Sequence, residues 1–284
     1  MAANKSKGLC CMTSTHNIFI ICDFLRGLAC ICVVFFFYTK TTKIPYDTHM
    51  NSETLSLYIT AEHECGYYDD RQTSNLIPDP QIEIGANLYS LLISKGFRRS
   101  GEFVYRPHCK LCAACVPCRI HVDNFKASRN QRRCLKNNQD LSTHIMPARF
   151  KEEYFSLYSR YLNSRHKDGN MADPTREEFS NFLLNSWNTS VFIESRLDGK
   201  LLCVAVVDFL IAGPSAVYTF FDPEEHKRSL GTFAILQQIW LARLYKKENL
   251  YLGYWIDQHP KMAYKRNFSA LQIYQQDQWQ AFIY

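Results

Sequence analysis

The stretch VFIESRLDGKLLCVAVVDFL, residues 191–210, decides the fold class. Two runs rich in β-branched and aromatic residues flank Asp198-Gly199, a dipeptide suited to the positive φ angles of a two-residue hairpin turn. The spacing predicts a strand over 191–196 and a second over 201–210. Working toward the C-terminus, Ala216 to Phe221 reads as a third strand. Ser229 can cap a long amphipathic helix ending near Lys247, with Lys246 and Lys247 at the end where the helix dipole favours cations. Tyr251 to Trp255 is a further strand, Lys261 to Phe268 a short helix and Leu271 to Tyr274 a last strand.

Working toward the N-terminus, residues 88–97 have helical spacing closed by Gly96, residues 102–105 form a short strand, and Val116, Ile120 and Val122 fit a strand. Ser128 can cap a helix to about Asn138. Tyr154, Phe155, Tyr158, Tyr161 and Leu162 form an aromatic helix stripe, read as core. Asp173-Pro174 predicts another helix start, with proline at the first position. The fold class expected is α+β. The element order of the C-terminal half is similar to that of GCN5-related N-acyltransferases, and the N-terminal half is cysteine-rich. The divisions expected are an apolar extension over 1–49, a cysteine-rich basic region over 50–150 and an acyltransferase-like domain over 151–284.

The first 49 residues contain an apolar run, 17–38, interrupted by Asp23 and Arg26. A charge at mid-helix is costly in a bilayer, and the uninterrupted part is too short to span one. This predicts a cytoplasmic protein whose working chain starts at Met50, with no membrane partner.

The 284 residues carry 33 Lys and Arg against 27 Asp and Glu, a net charge of +6. The excess is local: ten Lys or Arg lie between Arg98 and Lys136, against Glu102 and Asp123. Arg129, Arg132, Arg133 and Lys136 recur at i, i+3, i+4 and i+7, so they share one helical face. A cationic face on a rigid helix suits phosphate groups and gives affinity rather than sequence choice. Arg228 and Gly231, at the start of the long helix, resemble part of a pyrophosphate-binding turn, although Phe233 occupies the position where a small residue is expected. A helix N-terminus offers free N–H groups to a phosphate-bearing acyl donor. These six residues are the candidate contacts for a nucleic-acid backbone or another phosphate-bearing acyl donor, such as a tRNA 3′ end.

Twelve cysteines are many for a cytosolic chain. Cys109, Cys112 and Cys115 follow C-x-x-C-x-x-C spacing, with Cys65 upstream, a pattern that favours metal ligation or redox chemistry over a disulfide framework. Zinc and an iron–sulfur cluster are both candidates for this loop. Cys118 extends the spacing as a competing ligand, while Cys134 and Cys203 read as packing residues.

The chain resembles bacterial aspartate/glutamate leucyltransferases, the leucyl/arginyl-tRNA–protein transferase family. The resemblance is carried by Cys65-Gly66-Tyr67, by GFRRSG over 96–101, by YRPHC over 105–109, by Cys112, Cys115, Val116 and Pro117, and by the Ser128 to Leu141 segment. It continues through AVYTFFDP over 216–223, SLGT over 229–232, and residues 252–256 and 261–265. It implies transfer of Leu, with Arg as the less favoured donor residue, from aminoacyl-tRNA to proteins beginning with Asp or Glu, marking them for N-degron proteolysis. It implies that no cofactor is required for transfer, and that Cys65, Cys109, Cys112 and Cys115 are the metal-ligand candidates. Cys118 and His121 depart from the family pattern. The runner-up activity is a CoA-dependent N-acetyltransferase; a metal-containing RNA-binding module and a membrane-anchored sensor are further readings.

An ester between an amino acid and tRNA is already activated. The site must hold a neutral α-amine, stabilise an oxyanion and protonate the leaving ribose oxygen. Tyr218, Asp222, Tyr254, Lys261, Tyr264 and Lys265 are the candidates for that pocket, with Asp222 to orient the amine and the tyrosines to donate. An acidic acceptor residue also calls for an Arg or Lys partner.

Overall fold

The hairpin forms as its sequence dictates. Asp198 and Gly199 adopt φ of 47° and 84°, and Leu197 pairs with Lys200 across them. The computed structural model describes residues 39–47, 52–165, 173–185 and 187–283. In chain order the first part contributes β1 (Thr39–Asp47), β2 (Ser52–Ile59), β3 (His63–Glu64), β4 (Gln72–Thr73), β5 (Asn75–Pro78) and α1 (Ala86–Ser94). Then come β6 (Arg98–Ser100), β7 (Phe103–Pro107), β8 (Val116–His121), α2 (Arg129–Asn137) and β9 (Ser142–Pro147). The remainder is α3 (Glu152–Arg165), α4 (Arg176–Leu183), β10 (Ser190–Leu197), β11 (Lys200–Asp208), β12 (Ser215–Phe221), α5 (Leu230–Leu244), β13 (Asn249–Trp255), β14 (Leu271–Gln275) and β15 (Gln278–Ala281).

These elements make a mixed α/β protein. A five-stranded sheet runs β1-β2-β5-β7-β6, and an eight-stranded sheet runs β15-β14-β8-β13-β12-β11-β10-β9. The larger sheet is covered on both faces, which is why β11 is apolar almost without interruption. Cys203, Ala205 and Val207 pack with α5, whereas Val204 and Val206 alternate to the other face, against Tyr154, Tyr158 and Phe179 of α3 and α4. The aromatic stripe of α3 is thus core, as its spacing predicts.

β12 and β13 are parallel neighbours joined by the α5 crossover, and their registered pair is Ser215 with Tyr251. That pair lies near the start of both strands, so their downstream halves part. Gly253 turns β13 at this point with φ of 71°. The result is a wedge between the C-terminal halves of β12 and β13. Crevices at strand C-terminal ends are the usual ligand positions in sheets of this kind.

Several elements differ from their sequence signals. β8 and β9, both before residue 150, are strands of the larger sheet, and β8 lies between β13 and β14. Such long-range pairing leaves no mark in local periodicity. The helix predicted from Asp173-Pro174 begins at Arg176 instead. Thr175 and Glu178 form a reciprocal capping box there, which outcompetes proline at the first position. The predicted helix over 261–268 is a 3₁₀ turn, Ala263–Asn267. β15 follows a two-residue turn, Gln276 and Asp277, both at positive φ, which carries no Gly or Asn to announce it. Residues 1–38, including the apolar run, lie outside the described residues, and Thr39–Asp47 forms the edge strand β1 on β2. Among the described residues no helix is long and apolar enough to cross a membrane.

Candidate active site at the strand wedge

Arg98, in β6, reaches into the wedge. Its Nη2 donates to the Val217 carbonyl of β12 at 3.2 Å, and its guanidinium lies 5.9 Å from the centre of the Tyr254 ring of β13. A Cβ at Gly253 would stand 3.2 Å from Arg98 Nη1, so the missing side chain makes room for the guanidinium. The sequence showed Arg98 as one charge of a basic block and as part of the GFRRSG stretch, without a role of its own. The available signal was its neighbour: adjacent residues of a strand face opposite sides, so Arg98-Arg99 in β6 cannot both face the same way.

Lys265 is buried in the same region. Its Nζ donates to the Tyr254 carbonyl, with Met262 Sδ 3.7 Å away. Burial pulls its pKa down to about 8; Cys118 and Cys115 work against that shift and the Arg98 charge adds to it. Lys265 can therefore shed a proton near neutral pH, as a general base must. Tyr264 flanks it, its ring centre 5.9 Å from Lys265 Nζ. The Tyr264 side chain is 41% exposed, yet desolvation around its hydroxyl, with Cys118 and Tyr161 adding and Arg98 and Arg165 opposing, raises its pKa, so it stays protonated and can donate.

The other candidates are placed as follows. Tyr254 is buried, and its hydroxyl donates to the Tyr105 carbonyl at 3.0 Å, which occupies its proton. Tyr218 is packed edge-on against Phe182, Tyr158 and Tyr161, and burial raises its pKa. Asp222 is wholly buried; Lys200 Nζ is 3.1 Å and Arg160 Nη1 3.4 Å from its carboxylate, and the Glu224 N–H donates to it at 3.2 Å. Burial opposes its ionisation, but this backbone bond and the two cations prevail and hold its pKa below the usual carboxylate value. Lys261 is exposed on the loop that leads into the Lys265 turn. The structure thus brings Lys265, Tyr264 and Tyr254 together with Arg98, and commits Asp222 to two cations.

The predicted basic helix is α2, and its cap is the expected one. Ser128 accepts from the Gln131 N–H, and Gln131 returns the bond to Ser128. Gln131 and Cys134 face inward, leaving Arg129, Arg132, Arg133 and Lys136 exposed. Arg132 donates to the Ala127 carbonyl at 2.6 Å; Arg129, Arg133 and Lys136 have no ion-pair partner among the described residues. The C-terminal end of α2 is tied to the N-terminus of α5. Asn138 Nδ2 donates to the Arg228 carbonyl at 2.8 Å, and Arg228 grips Asp140 through two bonds of 2.9 Å. Arg228 also pairs with Glu225 at 3.0 Å, so its side chain is a strut in this junction. Ser229 has φ of 55° and makes no side-chain cap. The first N–H groups of α5, at Leu230 and Gly231, therefore have no acceptor among the described residues.

The cysteine loop lies on the wedge's flank. Arg71 donates to Cys112 Sγ at 3.3 Å, and Thr73 Oγ1 is 3.2 Å from Cys109 Sγ. A backbone bond from Ala114 and the Arg71 charge lower the Cys112 pKa. Burial, with Cys65, Cys109 and Cys112 nearby, pushes Cys115 up to about 12. The four thiols share one neighbourhood and are the right soft donors for zinc or an iron–sulfur cluster. As placed, no three His, Cys, Asp or Glu side chains among the described residues surround a point where one ion would sit. Cys118 is buried in β8, its pKa raised by burial to about 11, away from solvent and close enough to Lys265 to influence it.

Comparison with known proteins agrees along most of the chain. The family described as "Arginine-tRNA-protein transferase, N terminus" matches residues 63–133, and "Arginine-tRNA-protein transferase, C terminus" matches 153–275. The aspartate/glutamate leucyltransferase of Alcanivorax borkumensis is 49% identical over 80% of this chain and 93% of its own length. That of Hahella chejuensis is 45% identical over 81% of this chain and 98% of its own. Among solved structures, FemX aligns with a TM-score of 0.44 and 9% identity, over 78% of this chain and 80% of its own. With a cationic helix locked to a helix N-terminus beside a wedge that holds a titratable lysine, and with relatives of this identity over nearly their full length, the chain belongs to the aspartate/glutamate leucyltransferase family of aminoacyl-tRNA–protein transferases and is an aminoacyltransferase.

Proposed function

We propose that this enzyme takes Leu from leucyl-tRNA and joins it to the α-amine of proteins beginning with Asp or Glu, creating an N-terminus read by the degradation machinery. The observation that carries this reading is the cationic track. Its cations lie on α2, and the Asn138–Arg228 junction, where Arg228 is neutralised by Asp140 and Glu225, joins that helix to the uncapped N-terminus of α5 beside the wedge. A tRNA acceptor stem on α2 would deliver its 3′ phosphates to Leu230 and Gly231 and its aminoacyl ester to the parted strands. The β12–α5–β13 crossover with splayed parallel strands supports a GCN5-related acyltransferase-like arrangement of this half.

The chemistry follows from the residues at hand. Lys265, neutral in part near pH 8, takes a proton from the acceptor ammonium. The amine nitrogen attacks the ester carbonyl carbon, and the bond to the ribose oxygen breaks. Tyr264, protonated and adjacent, donates to the leaving oxygen and takes up the second proton that the attacking nitrogen sheds as it becomes an amide, while Lys265 returns its proton to solvent. Tyr254 and Tyr218 shape the pocket, and Asp222 fixes Arg160 and Lys200 at its edge. Lys261 sits at the mouth, within reach of the tRNA terminus. No covalent enzyme intermediate and no cofactor enter the transfer.

For the cysteine loop we propose a structural zinc or iron–sulfur site held by Cys65, Cys109, Cys112 and Cys115. Purified protein analysed for metals should lose zinc or iron when Cys109 and Cys112 become Ser; metal-free wild-type protein that is folded and active contradicts it. The transfer itself is tested by supplying leucyl-tRNA or arginyl-tRNA with peptides starting with Asp, Glu or Ala. Leu should appear on the Asp and Glu peptides only. Arg on those peptides, or Leu on the Ala peptide, overturns the assignment.

A further inference from the structure

We propose that Arg98 reads the side-chain carboxylate of the acceptor's N-terminal residue, and so sets the choice of Asp or Glu. This rests on the proposed acceptor class and names the group that selects it.

The contrast with Arg99 is the starting point. Arg99 is fully buried and its donors are consumed, by both oxygens of Asp208 and by the Gly101, Phe182 and Leu183 carbonyls. Arg98, one residue earlier and facing the wedge, has one bond, to the Val217 carbonyl, and no carboxylate among the described residues. A guanidinium has five N–H donors and stays charged in proteins. A partly buried cation left without an anion is costly, and the shortfall is met when a ligand supplies the anion. The guanidinium is also held in place, by Val217 on one strand and by the space at Gly253 above Tyr254 on the other.

Position narrows the ligand. In Asp the carboxylate is one methylene from the carbon that bears the reacting amine, and in Glu two. Its anchor must therefore share a pocket with the base that deprotonates that amine. The Arg98 charge acts directly on Lys265 and on the Tyr264 hydroxyl. Several other cations around the wedge are committed, Arg160 and Lys200 to Asp222, Arg119 to Gln272 and Tyr251, and Arg106 to the Lys95 carbonyl, while Arg165 lies over the Tyr161 and Phe221 rings rather than in a two-strand clamp like that of Arg98. A fork of parallel N–H groups matches a carboxylate with two bonds, which an amide cannot accept in the same way. The donor's phosphates have their own cations on α2, well supplied without Arg98.

The test compares isosteric acceptors, an Asp-starting and an Asn-starting peptide, in steady-state transfer from leucyl-tRNA. Wild-type enzyme should strongly prefer Asp. R98Q should lower kcat/KM for the Asp peptide by roughly 100-fold, mainly through KM, as expected for a lost bond to a charged group. The Asn peptide should change by less than about threefold, a pattern that loss of structure does not produce. R98K, which keeps the cation but not the fork, should restore part of the Asp preference, and it carries the test if R98Q melts early. If wild-type enzyme labels no Asp peptide, the acceptor reading fails and this inference with it. If wild-type enzyme is active and Arg98 variants lose both peptides equally, keep the Asp preference, or bind leucyl-tRNA more weakly, only the role of Arg98 is overturned, and the last result assigns it to the donor.

Discussion

Arg99 holds Asp208 through Nε at 2.6 Å and Nη2 at 2.9 Å, with both side chains shielded from solvent. Tyr89 and Ser190 add hydroxyl bonds to the same carboxylate, at 2.9 and 2.6 Å. The pair ties β6 to the end of β11, and so fixes the strand from which Arg98 enters the wedge.

Removing the acid leaves Arg99 charged and buried. Asp208→Asn should destabilise the fold by about 3–5 kcal/mol, the usual cost of breaking one partner of a buried ion pair. Urea denaturation measures this. A loss below about 1 kcal/mol would show that the pair is not needed to seat β6.

As the proposed general base, Lys265 should give the transfer its pH dependence. Its folded pKa, about 8 against an ordinary 10.5, means that the rate should climb as pH rises toward 8 and then level. K265R cannot deprotonate, so kcat should fall by roughly 100-fold or more and the rising limb should vanish. Stability carries the same signature. The folded state binds fewer protons than the unfolded one between about pH 8 and 10.5, so this lysine favours folding as pH rises through that window. The groups that bear on it are Cys118, Arg98 and Cys115, so the comparison is K265M against wild type. K265M should lose that upward contribution, read as the difference between the two melting curves across pH.

The sequence made the hairpin, α2, α3 and the wedge strands legible because each is set by local chemistry: Asp198-Gly199, the Ser128 cap, the aromatic spacing from Tyr154 to Leu162. It could not show β8 entering between β13 and β14, since strand order depends on partners distant in the chain. The site divides the same way. Lys265 and Tyr264 were legible as polar residues at a strand mouth, whereas Arg98 was hidden in a charge block. Its meaning depends on Val217 and Gly253, more than 100 residues away. Arg228 was expected to meet phosphate; Asp140, an ordinary surface acid in sequence, takes it up.

The exposed face of α2 should supply the salt-dependent part of tRNA binding. Arg133→Ala with Lys136→Ala removes two cations that have no ion-pair partner among the described residues. The slope of log Kd against log salt should flatten by about two units, with little change in melting temperature because the Ser128–Gln131 cap and the buried Cys134 remain. An unchanged slope would place the tRNA elsewhere.

Leucyl transfer to an acidic N-terminus is tested most directly by its product. Leucyl-tRNA and acetyl-CoA are offered together with an Asp-starting peptide, and the product is identified by mass spectrometry. The expected outcome is a single product, the peptide extended by Leu at its α-amine and formed in the absence of acetyl-CoA as well. An acetylated peptide without leucyl extension would contradict it.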